Sequence, residues 1–324
     1  MKAEGTTSVF RQGIKRYHSQ LLLLGVLLLL MILMSSVSEY FFAWKNFYNI
    51  LDQSAVYIIL SVGMTFVIAS GGVDLSVGSV AGLGGVTMAV LMKAGMDVPG
   101  AVISGIALCV LIGVANGALI SFMRINAFII TLVTMIIARG FALILTGGVS
   151  IYGFDKGFKW FGTGDIGPVN APIVISLICA VIGMLLLRRT LWGKYALALG
   201  ANDEALRRAG VKTRFYRTSI YAVSGLCAAI AGLIMTARLN SAAPLAGQNY
   251  EMDAIAAVVL GGASMSGGKG TVLGTLFACL ILAVMRNGLT LLAIPTYYQQ
   301  VVTGLIILAA IVTAEIRNRI QADV

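Results

Sequence analysis

The chain has 324 residues, 59% of them hydrophobic and 11% charged, with a mean hydropathy of +0.94. Soluble domains are about 45–50% apolar and about 25% charged. This composition excludes a soluble globular enzyme, a disordered tail and a disulfide scaffold. The net charge is +10, from 23 Lys and Arg against 13 acids. These bases lie in loops beside apolar runs, which points to positive-inside topology and not to a nucleic-acid partner.

In chain order, residues 1–19 carry Lys2, Arg11, Lys15 and Arg16 and lead into LLLLGVLLLLMILMSSV at 21–37. No clear small-x-small cleavage site follows, so an uncleaved first span with a cytoplasmic tail at 1–19 is expected. Further apolar segments lie at 54–70, 79–92, 100–121, 127–146, 172–187, 216–238, 253–263, 270–286 and 297–314. A bilayer core of about 30 Å needs about 20 helical residues, so 79–92 and 253–263 are short for crossings. The expected fold is all-α: a polytopic inner-membrane protein of about ten transmembrane helices (eight to ten), forming one domain over 1–324.

Placing both termini in the cytoplasm gives the cytoplasmic segments 16 of the 23 basic residues and leaves Lys45, Lys93, Lys156 and Lys159 outside. The reverse orientation inverts that ratio. Arg139, Arg238 and Arg286 fall near span ends, where they are expected to snorkel. The four cysteines lie in apolar runs with no CxxC pair, which suits core packing. The only histidine is His18, in the tail, so no His-based metal or catalytic site is expected in the spans.

Two Gly-rich segments echo each other. GGVDLSVGSVAGLGG at 71–85 and GGASMSGGKGTVLGT at 261–275 match at six of fifteen positions. Their candidate gate residues are Gly71, Gly72, Asp74, Ser76 and Gly78 in the first copy and Gly261, Gly262, Ser266 and Gly268 in the second. Repeated, interrupted hydrophobic segments point to a central pathway in a transporter. Ordinary cytoplasmic turns with close helix packing explain the same glycines, and GxxxG spacing at Gly78/Gly82, Gly113/Gly117 and Gly270/Gly274 favours such contact. Asp74 would then be a solvated helix cap. A P-loop fails at 261–270, because Ala263 stands where the first Gly is needed and Gly270 where Ser or Thr must follow Lys269.

The longest charged stretch is 188–217. Within it Asn202 is a good N-cap, Asp203 and Glu204 fill the first turn, Arg207 and Arg208 the last, and Gly210 the C′ position. This predicts a two-turn helix over 203–209, including Ala205 and Leu206. So short a helix is marginal alone in water, which makes it a docking element for a cytoplasmic partner or an anchored surface helix.

The order GGVDLSVGS, GKYALALGANDEALRRAGV and EMDAIAAVVLGGASMSGGKGTVLGT closely resembles permease subunits of bacterial ribose-type sugar ABC importers. The likeness runs from FFAWKNFYNIL at 41–51 to YYQQVVTGLIIL at 297–308. It implies an inner-membrane permease paired with a second permease chain (a homodimer or a heterodimer), a cytoplasmic ABC ATPase and a periplasmic sugar-binding protein. Glu204, Ala205 and Gly210 match the EAA-type coupling signature of that family. Leu206 departs from it where a second alanine is usual, and Gly200-Ala201-Asn202 replaces the frequent Gly-Gly-Asn. The resemblance also implies no cofactor on this chain, with ATP and Mg bound by the ATPase, and a monosaccharide as the solute.

A neutral solute needs hydroxyl and amide groups in the spans, and Thr65, Asn116, Thr131 and Thr134 are candidates. For each, a helix–helix hydrogen bond is the favoured reading over solute contact. A stand-alone secondary carrier for a small neutral solute would normally show intramembrane acids for ion coupling. The span interiors almost lack them, which argues against proton coupling but leaves a stand-alone facilitator as the alternative. An embedded enzyme lacks the G-x-S-x-G and HExxH patterns.

Overall fold

In a computed structural model the backbone is described over residues 3–322, and side chains are described from Gln20 to Ile306 and at a few positions beyond. The tail bases, His18, and Arg317 and Arg319 lie outside the described side chains. The helices are α1 (Ala3–Val37), α2 (Trp44–Ala69), α3 (Val77–Lys93), α4 (Val98–Met123), α5 (Ala127–Thr146), α6 (Lys156–Thr163) and α7 (Ala171–Arg189). They continue with α8 (Leu191–Ala201), α9 (Asp203–Arg208), α10 (Thr213–Leu239), α11 (Tyr250–Leu260), α12 (Val272–Leu291) and α13 (Thr296–Ala322). Each of the ten apolar segments read from the sequence coincides with a helix, although 54–70 and 253–263 run past the ends of α2 and α11 and 270–286 begins two residues before α12. Among the described residues seven helices are long and apolar enough to cross a membrane: α1, α2, α4, α5, α7, α10 and α12. By length, α3 reaches about 26 Å and α11 about 17 Å, so neither crosses as a plain span.

Burial separates the helices into a centre and a rim. In α2 and α10, 78% of the most apolar stretch is buried, against 11% in α1 and 17% in α5. Helix α10 packs on α4, α2 and α3, while α12 packs on α2 and α1. The close contacts use glycine. A Cβ at Gly113 would lie 2.3 Å from the Tyr221 carbonyl oxygen, and one at Gly232 2.2 Å from that of Ala81. Backbones approach this closely only without side chains between them.

Loop contacts sort the helix ends onto two faces. On one, Gly71, Arg124, Asp203 and Lys212 line a common cavity, and the Gly268 amide donates to the Ala69 carbonyl at 2.9 Å. On the other, Lys93 Nζ donates to the Gly153 carbonyl at 3.0 Å, and Tyr48 to that of Pro168 at 2.9 Å. That second face also carries α6 and four two-residue strands: β1 (Ile151–Tyr152) pairs with β4 (Ser241–Ala242), and β2 (Asp165–Ile166) with β3 (Val169–Asn170). None of these small elements was expected from sequence, since so short a pairing depends on where distant helices bring its partner.

Candidate coupling surface and translocation core

The short charged helix forms as α9. Asn202 Oδ1 accepts the Ala205 amide at 2.9 Å, and Glu204 pairs with Arg207 and with Arg208 Nε at 3.0 Å. Gly210 holds φ +82°, a left-handed value that a Cβ disfavours. No residue of α9 is buried, so its own contacts do not hold it. Helix α8, which the sequence did not reveal, supplies the anchor. Thr190 caps it by accepting the Gly193 amide at 3.1 Å. Trp192 donates to Ser219 Oγ on α10 at 2.8 Å and packs on Phe66 of α2, ring centres 5.0 Å apart.

The end of α8 touches both Gly-rich segments. A Cβ at Gly200 would stand 2.1 Å from the Ala69 carbonyl oxygen and 2.6 Å from the Gly268 amide nitrogen. A Cβ at Gly267, where φ is +82°, would stand 2.8 Å from the Cα atoms of both Gly200 and Gly71. Three backbones therefore meet without side chains: the end of α2, the end of α8 and the loop before α12. Gly71 and Ser266 belong to this joint, the Ser266 carbonyl oxygen lying 3.9 Å from a Cβ built on Gly71. Beside it, Gly261 packs on the start of α12 at Gly274 and Thr275, while Gly262 takes φ +91° in the turn leaving α11.

Asp74 is not a solvated cap. It is 2% exposed. Its Oδ1 accepts the Ser76 amide at 3.0 Å and the Ser76 hydroxyl at 2.6 Å, and its Oδ2 accepts Ser224 at 2.7 Å. The chain of bonds continues: Asn116 Nδ2 donates to Ser76 Oγ at 3.1 Å, and Thr134 donates to Asn116 Oδ1 at 2.6 Å. Thr131 donates to the Val73 carbonyl at 3.3 Å, as does Tyr221 at 3.4 Å. This hub ties the loop before α3 to α4, α5 and α10. Ser224 is the twelfth residue of α10, about 16 Å along it at 1.5 Å per residue. The segment after α2 thus turns back into the helix bundle before α3 begins. Gly72 backs onto the Tyr221 ring, whose hydroxyl lies 2.4 Å from where a Cβ would stand.

The segment after α10 does the same from the opposite face. Residues 243–249 reach Gly78, where a Cβ would lie 2.2 Å from the Gly247 carbonyl oxygen and 2.5 Å from Glu251 Oε2. Arg139 fixes this segment, its Nη1 donating to the carbonyls of Pro244 and Ala246 at 2.8 and 2.7 Å. The expectation that Arg139 snorkels from a span end is corrected, since it is the thirteenth of twenty residues in α5 and faces inward. Arg286 and Arg238 likewise turn to protein partners. Arg286 pairs with Asp253 and lies over Tyr57, while Arg238 donates to the Asp52 carbonyl at 3.0 Å. Nearby carboxylates and carbonyls satisfy a guanidinium at less cost than a long reach to the interface. Arg139→Gln, which loses both carbonyl bonds, is expected to speed amide exchange in 243–249 at least tenfold, the factor for about 1.4 kcal/mol. Hydrogen-exchange mass spectrometry of the purified protein measures it.

The fourth polar span candidate, Thr65, shares a 2.8 Å hydrogen bond with Thr275 across α2 and α12. Thr65, Asn116 and Thr131 are buried within the single chain, and Thr134 is half-buried. No group of three or more metal-ligating side chains occurs among the described residues.

Over residues 46–311 the chain matches the family described as the permease component of the branched-chain amino acid transport system. The chain belongs to this permease family. The permease is 42% identical over 289 residues to the ribose import permease protein RbsC of Escherichia coli (strain K12), covering 88% of this chain and 90% of that protein. It is 41% identical to RbsC of Bacillus subtilis (strain 168) over 287 residues, 88% of this chain and 89% of that one. The D-allose transport system permease protein AlsC of Escherichia coli (strain K12) is 38% identical over 288 residues, 88% of each chain. No solved structure matches the permease. Its likeness to ribose-type importer permeases therefore extends over most of the chain, and with seven long apolar helices among the described residues it is a multi-pass inner-membrane protein.

Proposed function

We propose that this permease carries a monosaccharide into the cytoplasm, driven by ATP hydrolysis on a separate ABC ATPase. The solute class follows from relatives whose names specify ribose, allose and galactofuranose import. The driving contact is α9, a fully capped helix with no buried residue, linked through α8 to the Gly71–Gly200–Gly267 joint. A partner that displaces α9 moves α8, and α8 bears directly on the end of α2 and the approach to α12. That connection carries the proposal. ATP and Mg belong to the ATPase, and a periplasmic sugar-binding protein delivers the solute to the face bearing α6 and β1–β4.

Two permease copies form the path, with both termini and α9 in the cytoplasm, as positive-inside topology requires. The two inward-turning segments, around Asp74 and around Gly247, are the gates, because irregular backbone at membrane depth is stable only where protein or a wet cavity covers it. Thr134, half-buried on the rim helix α5, is the polar candidate we assign to solute contact between the copies. ATP binding biases two arrangements of the dimer, and the gates respond to that bias.

Leu206→Pro in α9 removes the amide that bonds the Asn202 carbonyl and costs about 3 kcal/mol in a helix interior. With α9 exposed, the variant is expected to insert and melt as wild type does, yet to lose solute-stimulated ATP hydrolysis in the reconstituted transporter. Glu204→Lys, which puts a base beside Arg207 and Arg208, should do the same. Normal stimulation in both variants removes α9 from coupling.

A further inference from the structure

The face carrying α9 holds a cavity of about 1010 Å³ whose floor is Ser70–Val73 and whose walls are the ends of α4, α5 and α10. Among the described residues five cations line it, Arg124, Arg207, Lys212, Arg214 and Arg217, against one acid, Asp203. Two are engaged by carboxylates: Arg207 by Glu204, and Arg217 by Asp203 at 3.5 Å. Arg214 stands over the Phe122 ring, 5.4 Å from its centre. Arg124 and Lys212 have no ion-pair partner among the described residues. Positive-inside topology alone would spread such charge along the loops, whereas here it converges on one concavity.

Two further observations bear on what fills it. Ser121 Oγ and Thr218 Oγ1, both lining the cavity, are buried and lack hydrogen-bond partners, and Asp203 Oδ1 is in the same state. Unmatched hydroxyls are donors suited to an oxygen-rich anion. The rim is also apolar where it meets the helix ends: Phe122, Phe128 and Phe215 are 61%, 52% and 64% exposed and also line the cavity. A free anion has no use for that apolar rim, while a lipid places its chains there and its headgroup among the bases.

The geometry points to a binding site for the phosphate headgroup of an anionic phospholipid, held by Arg124, Lys212 and Arg214 with hydroxyl donors from Ser121 and Thr218. The site lies between the α4–α5 turn and the segment joining α9 to α10. A bound lipid would brace the base of the coupling helix against the membrane-embedded core. The site depends on neither the solute nor the ATPase, so it stands or falls apart from the transport proposal.

The test uses the full-length permease purified in neutral detergent, melted with phosphatidylglycerol, phosphatidylcholine or inorganic phosphate, with native mass spectrometry of retained lipid. Phosphatidylglycerol is expected to raise the melting temperature by about 5 °C, the shift for near-saturating ligand on a chain of this size. Phosphatidylcholine and millimolar phosphate should not. The double variant R124Q/R214Q should lose at least half of that rise and the retained lipid, while melting as wild type does in phosphatidylcholine. The opposite-face control K156Q/K159Q should keep both. If the double variant does not fold, K212Q alone is measured, with the same loss expected in smaller degree. An undiminished rise in the cavity variants, equal protection by phosphatidylcholine, or a full rise with inorganic phosphate alone overturns the assignment.

Discussion

Asp74→Leu is expected to leave the permease unable to assemble stably. The carboxylate is buried and accepts three hydrogen bonds, from the Ser76 amide and from the Ser76 and Ser224 hydroxyls. Leucine leaves all three donors without their acceptor at a buried position, at about 1–3 kcal/mol each. Whole domains are stable by only about 5–15 kcal/mol, so the sum is a large share of the total. Asp74→Asn keeps the shape and one carbonyl oxygen for the two Ser76 bonds. Its amide then faces Ser224, whose hydroxyl can rotate to accept. Asparagine should therefore cost about 1 kcal/mol, a single altered hydrogen bond. Size-exclusion profiles and melting temperatures in detergent separate these outcomes: an aggregated or early-melting leucine variant beside a monodisperse asparagine variant. A leucine variant that melts with wild type would show that the hub does not hold α3, α4, α5 and α10 together.

Gly200→Val is expected to abolish transport by a different route. The added Cβ would lie 2.1 Å from the Ala69 carbonyl oxygen, well inside contact distance, so the end of α8 must move away from α2. Overpacking of this kind costs about 1–3 kcal/mol, which the many other contacts of α8 can absorb. The permease should insert and bind the ATPase, which should hydrolyse ATP at the basal rate, but sugar uptake should fall at least tenfold. Gly157→Ala in α6, which meets nothing within 4 Å, should be silent in the same assays. Equal uptake by the Gly200 variant would show that α8 does not transmit motion to α2.

The features legible in the sequence were those set by near neighbours. The caps of α9 depend on Asn202, Glu204 and Gly210 within nine residues, and each takes the role its chemistry dictates. The apolar segments were visible because a span is a local run of composition. The depth of Asp74 was not, because Ser224 and Asn116, which place it, come from helices far along the chain. The inward turn of Arg139 was hidden for the same reason, since its acceptors at Pro244 and Ala246 lie more than a hundred residues on. The glycine echo between 71–85 and 261–275 was visible in the sequence, but that Gly71 and Gly267 approach each other and Gly200 was not. Helix α8 carries no strong end signal beyond Thr190, and its anchor, Trp192 between Phe66 and Ser219, is tertiary.

The claim that this chain is the transmembrane half of an ATP-driven sugar importer is tested most directly in proteoliposomes. Vesicles holding the permease with its ATPase and sugar-binding protein are given radiolabelled D-ribose, with and without ATP, beside vesicles holding the permease alone. ATP-dependent accumulation of ribose above the bath concentration, with no uptake by the permease alone, is the expected result. Equally rapid uptake by the permease alone, levelling at the bath concentration and indifferent to ATP, would contradict it.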